Sequence, residues 1–142
     1  MIAPGLIVHA SCVALDGKAV LVTGPSGSGK SALALELIAI GAVLVADDRT
    51  VLELRGRDVI ASPPPAIAGL IEARGVGIIS LRYLVEVSVA LVVDLSEQEA
   101  SRLPERHSRT LLDTDLPCLH KVDAAYFPAA IHAYLKSMLR ES

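Results

Sequence analysis

A glycine loop between a short apolar run and a helical segment restricts the fold of this chain more than any other feature. Residues 24–31 read Gly-Pro-Ser-Gly-Ser-Gly-Lys-Ser, the pattern G-x-x-x-x-G-K-S. The apolar run 19–23 before the loop is of strand type, and the segment 31–40 after it is rich in helix formers and is followed by Gly41. The order of strand, glycine loop and helix is typical of a domain whose loop binds phosphate groups.

The residue types in this loop suit a ligand that carries several negative charges. Glycines let the backbone curl so that successive N–H groups point inward. Lys30 supplies a positive charge for the β- and γ-phosphates, and the Ser31 hydroxyl can bind Mg²⁺. The alternative is an ordinary Gly- and Ser-rich turn between a strand and a helix. The candidate nucleotide-binding residues are Gly24, Pro25, Ser26, Gly27, Ser28, Gly29, Lys30 and Ser31.

An acidic pair, Asp47 and Asp48, directly follows the apolar run 42–46, which is the next strand after the predicted helix. In an open α/β sheet, ligands bind beyond the carboxyl ends of the strands, so this pair should lie beside the glycine loop. One carboxylate can hold Mg²⁺, and the other is free to take a proton from an attacking hydroxyl. The sequence leaves open which aspartate has which role, and a polar turn that caps the strand is the alternative.

The composition excludes several classes of function from a chain of 142 residues, which is long enough for one domain with a real core. One Phe, three Tyr and no Trp offer no platform for stacking bases, and a net charge of −3 gives no footprint for a nucleic acid. Apolar runs stop well short of the ~20 residues of a membrane span, and residues 1–5 lack the basic segment of a signal peptide. We therefore expect a single cytoplasmic domain, residues 1–142, without nucleic acid or membrane partners.

The remaining patterns predict two hairpins, one at Asp16-Gly17 after a strand over 6–15, and one at Arg55-Gly56-Arg57 between strands over 50–54 and 58–61. Together with the strand–loop–helix unit, they predict an α/β fold, a P-loop domain with a mixed central sheet and flanking helices. Further predictions are a loop at 62–65, a helix or a strand at 67–74, and strands at 78–81, 88–95 and 116–119. We also expect a helix N-cap at Ser96, an exposed connection at 101–110, and a terminal helix that is capped by Asp123 and has Pro128 either in its first turn or at a kink.

Four stretches occur in an order and spacing that point to one family. They are His9 within His-Ala-Ser-Cys-Val-Ala-Leu, the glycine loop, Leu-Val-Ala-Asp-Asp-Arg at 44–49, and Ile-Ala-Gly-Leu-Ile-Glu-Ala-Arg-Gly-Val-Gly-Ile at 67–78. In these stretches, which cover residues 6–80, the chain resembles the catalytic domain of HPr kinase/phosphorylase. The later half of the chain resembles the family more weakly.

The resemblance implies an ATP-dependent protein kinase that phosphorylates a serine of HPr, the small phosphocarrier of the sugar phosphotransferase system, or of its nitrogen-branch counterpart. It also implies a phosphorylase reaction in which inorganic phosphate attacks phosphoserine and releases pyrophosphate. The implied fold is related to phosphoenolpyruvate carboxykinase, the implied cofactors are ATP and Mg²⁺, and the implied assembly is a homo-oligomer, usually a hexamer. By position, the resemblance assigns His9, Asp47 and Asp48 to catalysis, Ser31, Asp47 and Glu72 to the metal, and Lys30 to the β-phosphate.

Two features depart from the family pattern. Full-length members carry a separate N-terminal domain, and we expect this chain to be a short form without it. The stretch 118–125 corresponds to an arginine-bearing loop used in phosphorolysis, yet it contains no Arg, and Lys121 cannot form the planar two-donor contact that phosphate favours. Arg102, Arg106 and Arg109 offer a cation from the preceding connection, and a solvated basic loop is the favoured alternative. Two other functions therefore stay open: an ATP-binding sensor module with little catalysis, and a kinase of a small metabolite.

Overall fold

The computed structural model describes residues 5–141, with side chains through Arg140, and it has a mixed α/β architecture. Residues 1–4, on which most of the expectation about a signal peptide depends, and Ser142 lie outside the described residues. Neither of the helices within residues 5–141 is long and apolar enough to cross a membrane. The described elements are β1 Leu6–Val8, β2 Ala10–Leu15, β3 Lys18–Thr23, α1 Lys30–Ala39, β4 Val43–Ala46, β5 Thr50–Arg55, β6 Asp58–Ser62, a 3₁₀ turn at Pro65–Ile67, β7 Leu70–Ala73, β8 Gly77–Ser80, β9 Val87–Gln98, β10 His107–Leu111, β11 Thr114–Lys121 and α2 Phe127–Glu141.

Nine of the strands described in residues 5–141 form one mixed sheet around β9. The path of hydrogen-bonded neighbours runs β1-β5-β6-β9-β3-β2-β4, and β11, which carries β10 beside it, also pairs with β9. β9 can pair with three strands because it is 12 residues long. Its start pairs antiparallel with β6, whereas β3 and β11 run parallel to it. Strands β7 and β8 form a separate two-stranded sheet.

Two apolar clusters cover the two faces of the central sheet. Side chains alternate along β3, so Val20 belongs to the cluster on one face and Leu21 to the cluster on the other. Both helices pack on the first face, where Leu37 and Ile131 are fully buried. Full burial of such a side chain stabilises the fold by about 1.5–3 kcal/mol. The second cluster joins Leu21 to residues of β5, β6, β10 and β11.

The structure confirms both predicted hairpins. At the first, Leu15 pairs with Lys18, and Asp16 and Gly17 have φ angles of 50° and 75°, the left-handed backbone that a two-residue hairpin turn requires. At the second, β5 pairs with β6. The ambiguous segment 67–74 is a strand, β7, which pairs antiparallel with β8. The predicted helix after the glycine loop and the strand before the acidic pair are also present, as α1 and β4.

The predicted strand over 6–15 is interrupted at His9, because its two halves pair with different partners. β1 pairs with β5, whereas β2 pairs with β3 and β4. The junction is fixed by two hydrogen bonds at Ala10, whose N–H donates to the Asp48 carbonyl at 3.1 Å and whose carbonyl accepts from the Thr50 hydroxyl at 2.9 Å. His9 therefore lies at a bend between two strands rather than within one.

Three predictions in the second half are wrong in detail. Ser96 does not cap a helix: β9 continues through it, and its backbone N–H and hydroxyl both donate to Asp94 Oδ1. The exposed connection ends before His107, where β10 begins. Asp123 is not the helix N-cap, because a turn in which the Phe127 N–H donates to the Ala124 carbonyl comes before α2. The placement of Pro128 in the first turn of α2 is confirmed.

Candidate active site

The glycine loop and the acidic pair meet at one edge of the sheet. β2 is antiparallel to both β3 and β4, so β3 and β4 run in the same direction and their carboxyl ends lie on the same side. The glycine loop leaves β3 after Thr23, and Asp47 follows the last residue of β4. Asp47 therefore lies beside the glycine loop, as the rule about the carboxyl ends of strands predicts, although the antiparallel strand β2 separates β3 from β4.

The loop backbone adopts conformations that favour glycine. The φ angles of Gly24, Gly27 and Gly29 are 149°, 82° and 99°. A Cβ atom on Gly24 would lie only 2.6 Å from the Ser28 hydroxyl oxygen and 3.2 Å from the Leu95 Cβ. Gly29 precedes the first residue of α1 and makes no side-chain capping bond, so the first N–H groups of α1 have no side-chain cap. Such an N-terminus, with its positive dipole end, suits an anion.

Lys30 lies inside the curl of the loop. It is buried, with 7% of its surface exposed, and its ammonium group donates to the carbonyl oxygens of Gly24 and Pro25 at 2.9 and 3.2 Å. No carboxylate among residues 5–140 forms an ion pair with this ammonium group. A buried cation whose protein partners are neutral carbonyls is well suited to an anionic ligand.

Two hydroxyl groups at the loop lack a partner. The Thr23 and Ser28 hydroxyl oxygens are buried, and neither forms a hydrogen bond with any described residue. An unpaired buried hydroxyl costs about 1–3 kcal/mol, and a ligand with acceptor oxygens would remove that cost. The positions of these hydroxyls before and within the loop, together with the ammonium group of Lys30, fit a polyphosphate.

Asp47 is held at the centre of the site by three hydrogen bonds. Its Oδ1 accepts from the Ser31 hydroxyl at 2.6 Å and from the Ser11 hydroxyl at 2.9 Å, and its Oδ2 accepts from the Glu72 backbone N–H at 3.1 Å. The residue is only 8% exposed. A hydroxyl and a carboxylate side by side form the set of hard oxygen ligands that Mg²⁺ prefers, so Ser31 and Asp47 fit this metal.

Asp48 differs from Asp47 in its exposure and in the hydrogen bonding of its carboxylate. It is exposed, and its carboxylate makes no hydrogen bond or ion pair with another residue in the described part of the chain. Its φ angle is 65°, and its backbone N–H donates to the Ser11 hydroxyl at 3.2 Å. Ser11 therefore binds both aspartates, and no motif in the sequence singles it out.

The remaining predicted residues, His9 and Glu72, lie at the border of this site. Exposed His9 lines a cavity of about 400 Å³ together with Gly24 and Pro25 of the loop. Glu72 is placed beside Asp47 by its backbone N–H, while its side chain is exposed and forms no hydrogen bond with the described residues. The structure thus brings together the loop, Ser31 and Asp47, and it leaves the metal-binding role of the Glu72 carboxylate as a prediction.

Asp94 and Arg109 complete the cavity wall. The sequence indicated Arg109 only as a cation from an exposed connection, and it gave Asp94 no role. Asp94 pairs with Thr23 in the β3–β9 register, and Arg109 Nη1 lies 3.4 Å from Asp94 Oδ2. Partial burial raises the pKa of Asp94, but hydrogen bonds from Ser96 and the charges of Arg109 and His120 outweigh it and hold the pKa below its ordinary value. Asp94 lies next to the end of the predicted strand over 88–95, so the carboxyl-end rule that located Asp47 could have located it too.

The comparisons with known proteins agree with this architecture. The family model described as the HPr Serine kinase C-terminal domain matches residues 1–120, and the chain belongs to this family. The HPr kinase/phosphorylase of Geobacillus kaustophilus is 41% identical over 133 residues, which cover 83% of this chain and 42% of that protein. The HPr kinase/phosphorylase of Alkaliphilus metalliredigens is 34% identical over 113 residues, which cover 74% of this chain and 37% of that protein.

A solved structure shares the fold. The HPr(Ser) kinase/phosphatase from Coxiella burnetii superposes with a TM-score of 0.80 over 96% of this chain and 97% of that chain, at 24% sequence identity. This match confirms the mixed α/β fold. The family resemblance predicted from the motifs is also confirmed, while the chain spans about two fifths of the length of the curated relatives it matches.

Proposed function

We propose that this chain is an ATP-dependent protein serine kinase domain that phosphorylates HPr or its nitrogen-branch counterpart. The observation that carries the proposal is the hydrogen-bonded pair of Ser31 and Asp47 beside a glycine loop with a buried lysine. The names of the relatives support the substrate, and the donor groups of the site support ATP and Mg²⁺ as cofactors.

In this proposal, the loop and Lys30 bind the polyphosphate. Bound Mg²⁺ would neutralise charge on the phosphate oxygens. Ser31 and Asp47 would hold it, and the hydrogen bonds of Asp47 to Ser11 and Glu72 keep its carboxylate oriented. The Lys30 ammonium group would exchange its loop carbonyl partners for phosphate oxygens, which form stronger, charge-assisted hydrogen bonds.

Asp48 would act as the general base. Its carboxylate is exposed and free of protein partners within the described residues, whereas the Asp47 carboxylate is committed to three donors. It would accept the hydroxyl proton of the acceptor serine while the serine oxygen bonds to the γ-phosphorus and ADP leaves. In the reverse direction, phosphate would attack phosphoserine, and the protonated Asp48 would return its proton to the serine oxygen as pyrophosphate forms.

A transfer assay tests this function directly. Labelled γ-phosphate from ATP should reach a serine of HPr or its counterpart, and Lys30→Ala should lower the rate by about 10²–10³-fold or more, because a preorganised charge is lost. Lys136→Ala is the matched control, since Lys136 is exposed and pairs loosely with Asp16 at 3.7 Å. Absence of label on either carrier at saturating Mg-ATP would overturn the proposal.

The absence of arginine from residues 118–125 favours one alternative, an ATP-binding sensor module with little catalysis. In the structure, this stretch forms the end of β11 and part of the connection to α2. Calorimetric binding of ATP without turnover would identify such a module. We further propose three properties that the family resemblance implies: a hexameric assembly, a cytoplasmic location and a fold related to that of phosphoenolpyruvate carboxykinase. Light scattering measures the number of subunits.

A further inference from the structure

Three metal-binding side chains come together outside the site described above. Glu99, His107 and His120 each present one ligand atom, and these three atoms lie within 4.8 Å of one another. Each residue comes from a different segment: Glu99 follows β9, His107 begins β10, and His120 lies near the end of β11. All three side chains are half-buried.

Strand pairing explains why these residues meet. His107 pairs with Cys118 across the β10–β11 hairpin, and His120 is two residues further along β11, so both histidines lie on the same face as diagonal neighbours. The pairing of β9 with β11 is irregular because its register shifts between His120 and Lys121. Beyond it, the Glu99 N–H donates to the Lys121 carbonyl at 2.8 Å, which brings Glu99 beside the histidine pair.

The side chains are held in an arrangement that apolar packing does not explain. The imidazole rings stack with their centroids 3.8 Å apart and their planes 9° from parallel. His107 Nε2 lies 2.7 Å from Glu99 Oε1, and the Ser101 N–H donates to Glu99 Oε2 at 3.1 Å.

We propose that Glu99, His107 and His120 form a binding site for a divalent transition-metal ion of the Zn²⁺ class. Two imidazole nitrogens and one carboxylate oxygen are a donor set typical of zinc sites that leave a coordination position for water. Mg²⁺ prefers oxygen ligands, so this site is chemically different from the pair of Ser31 and Asp47. The proposal goes beyond the kinase function and does not depend on it.

Metal binding requires the ligand atoms to move from the arrangement that the structure shows. Two ligands at about 2.0–2.1 Å from a tetrahedral Zn²⁺ are about 3.3 Å apart, so the 2.7 Å contact of His107 with Glu99 must open by roughly half an ångström. For His107 Nε2 to bind the metal, the ring must carry its proton on Nδ1, so that Nε2 presents a lone pair. The imidazole rings must also rotate so that their lone pairs converge.

Occupancy of this site would affect the cavity beside the glycine loop. β10 carries His107 and, two residues later, Arg109, which pairs with Asp94 in the cavity wall. His120 is opposite Asp94 in the β9–β11 register. A metal ion that ties the three strands together would therefore stiffen the wall that holds Arg109.

Equilibrium dialysis of the untagged chain against Zn²⁺, with metal content measured by mass spectrometry, tests the site. We expect one equivalent that excess Mg²⁺ does not displace. His120→Gln and Glu99→Gln should each weaken binding by more than the about 10–100-fold that loss of an outer hydrogen-bond partner costs. Visible absorption of bound Co²⁺ should change in the same two variants, which reports nitrogen ligation without any activity measurement.

Two control variants separate this site from other zinc ligands. His132→Gln, on α2, and Asp47→Asn, at the glycine loop, should retain the Zn²⁺ affinity and the Co²⁺ spectrum of the unaltered chain. Circular dichroism checks that each variant folds. If one ligand variant fails to fold, the other still tests the site. Failure of the unaltered chain to bind an equivalent of Zn²⁺, or unchanged affinity in His120→Gln and Glu99→Gln, would overturn the proposal. Neither result bears on phosphate transfer.

Discussion

The cavity beside the glycine loop is bordered by two regions that are built in different ways. We call residues 24–31 the glycine-loop edge, and Asp94 with Arg109 the β9–β11 wall. At the loop edge, residues 24–31 are contiguous, and their geometry follows from glycine backbone conformations and one buried lysine. In the wall, Asp94 and Arg109 come from β9 and β10, and they meet only because β11 pairs with both of these strands. The first region is therefore encoded locally and the second by the register of the whole sheet. We expect variants of the loop edge to have larger effects than variants of the wall.

The largest effect is expected for Asp48→Asn. The change removes the proposed general base, which typically contributes about 10²–10⁴-fold, and phosphate transfer to the carrier should fall by a factor in this range. Asparagine tolerates the φ angle of 65° as well as aspartate does, so the unfolding free energy should change little. Steady-state kinetics of carrier phosphorylation measure the effect. Asp58→Asn, at an exposed position of β6, is the control, and an equal loss in both variants would refute the assignment of the base.

A second prediction concerns the backbone of the loop. Gly24→Ala should lower the free energy of unfolding by about 2–4 kcal/mol, because the new Cβ would crowd Ser28 and Leu95 and the φ angle of 149° disfavours a side chain. Gly17→Ala is the matched control, since φ is 75° there but no atom lies within 4 Å of the added Cβ, so the cost should be about 1 kcal/mol. Denaturant titration measures both variants, and similar losses would show that the loop is not tightly packed.

In the wall, Arg109→Gln should have a smaller effect on catalysis. Its guanidinium is partly exposed and 3.4 Å from Asp94, so we expect a fall in kcat/KM of about tenfold, less than the about 10²–10³-fold cost of losing a dedicated donor. Arg106→Gln is the control because Arg106 lines a different cavity, between α2 and the β10–β11 hairpin. If kcat/KM fell as far in Arg109→Gln as in the loop variants, the expected difference between the two regions would be contradicted.

The smallest effect is a change in the pKa of Asp94, measured by NMR titration. The hydrogen bonds and charges around this carboxyl hold its pKa below the ordinary value, so Arg109→Gln should raise it. A depressed pKa in the folded state means that the associated stability is present above the pKa of the unfolded chain, about 3.9, and is lost as the pH falls through the folded-state value. Comparing acid unfolding of the unaltered chain with that of Asp94→Asn measures this pH-dependent stability. An unchanged pKa of Asp94 in Arg109→Gln would contradict the ion pair between these two residues.

The same contrast explains how much of the molecule the sequence could reveal. The hairpin at Asp16-Gly17, the helix after the loop and the place of Asp47 follow from short-range patterns, and the structure confirms them. Ser96 looked like a helix cap because capping signals are local, but pairing of β9 with β11 decides the conformation of that segment.

The contacts of other site residues depend on strand pairing that local patterns do not show. Ser11 is an ordinary strand residue in the sequence, and its role appears only because the hairpin brings it opposite the end of β4, where it binds both aspartates. Arg109 lies in a polar segment that resembled an exposed connection, and its half-buried position depends on pairing with β11. Glu72 carried a motif, yet the contact that the structure provides comes from its backbone.

Calorimetric titration of Mg-ATP into the unaltered chain and into Lys30→Ala is the most direct test of the central claim that the glycine-loop edge holds the nucleotide. We predict saturable binding by the unaltered chain and a loss of affinity of about tenfold or more in the variant, because the lysine supplies a charge-assisted contact to the phosphates. Equal affinity of the two chains, or no binding by the unaltered chain, would contradict it.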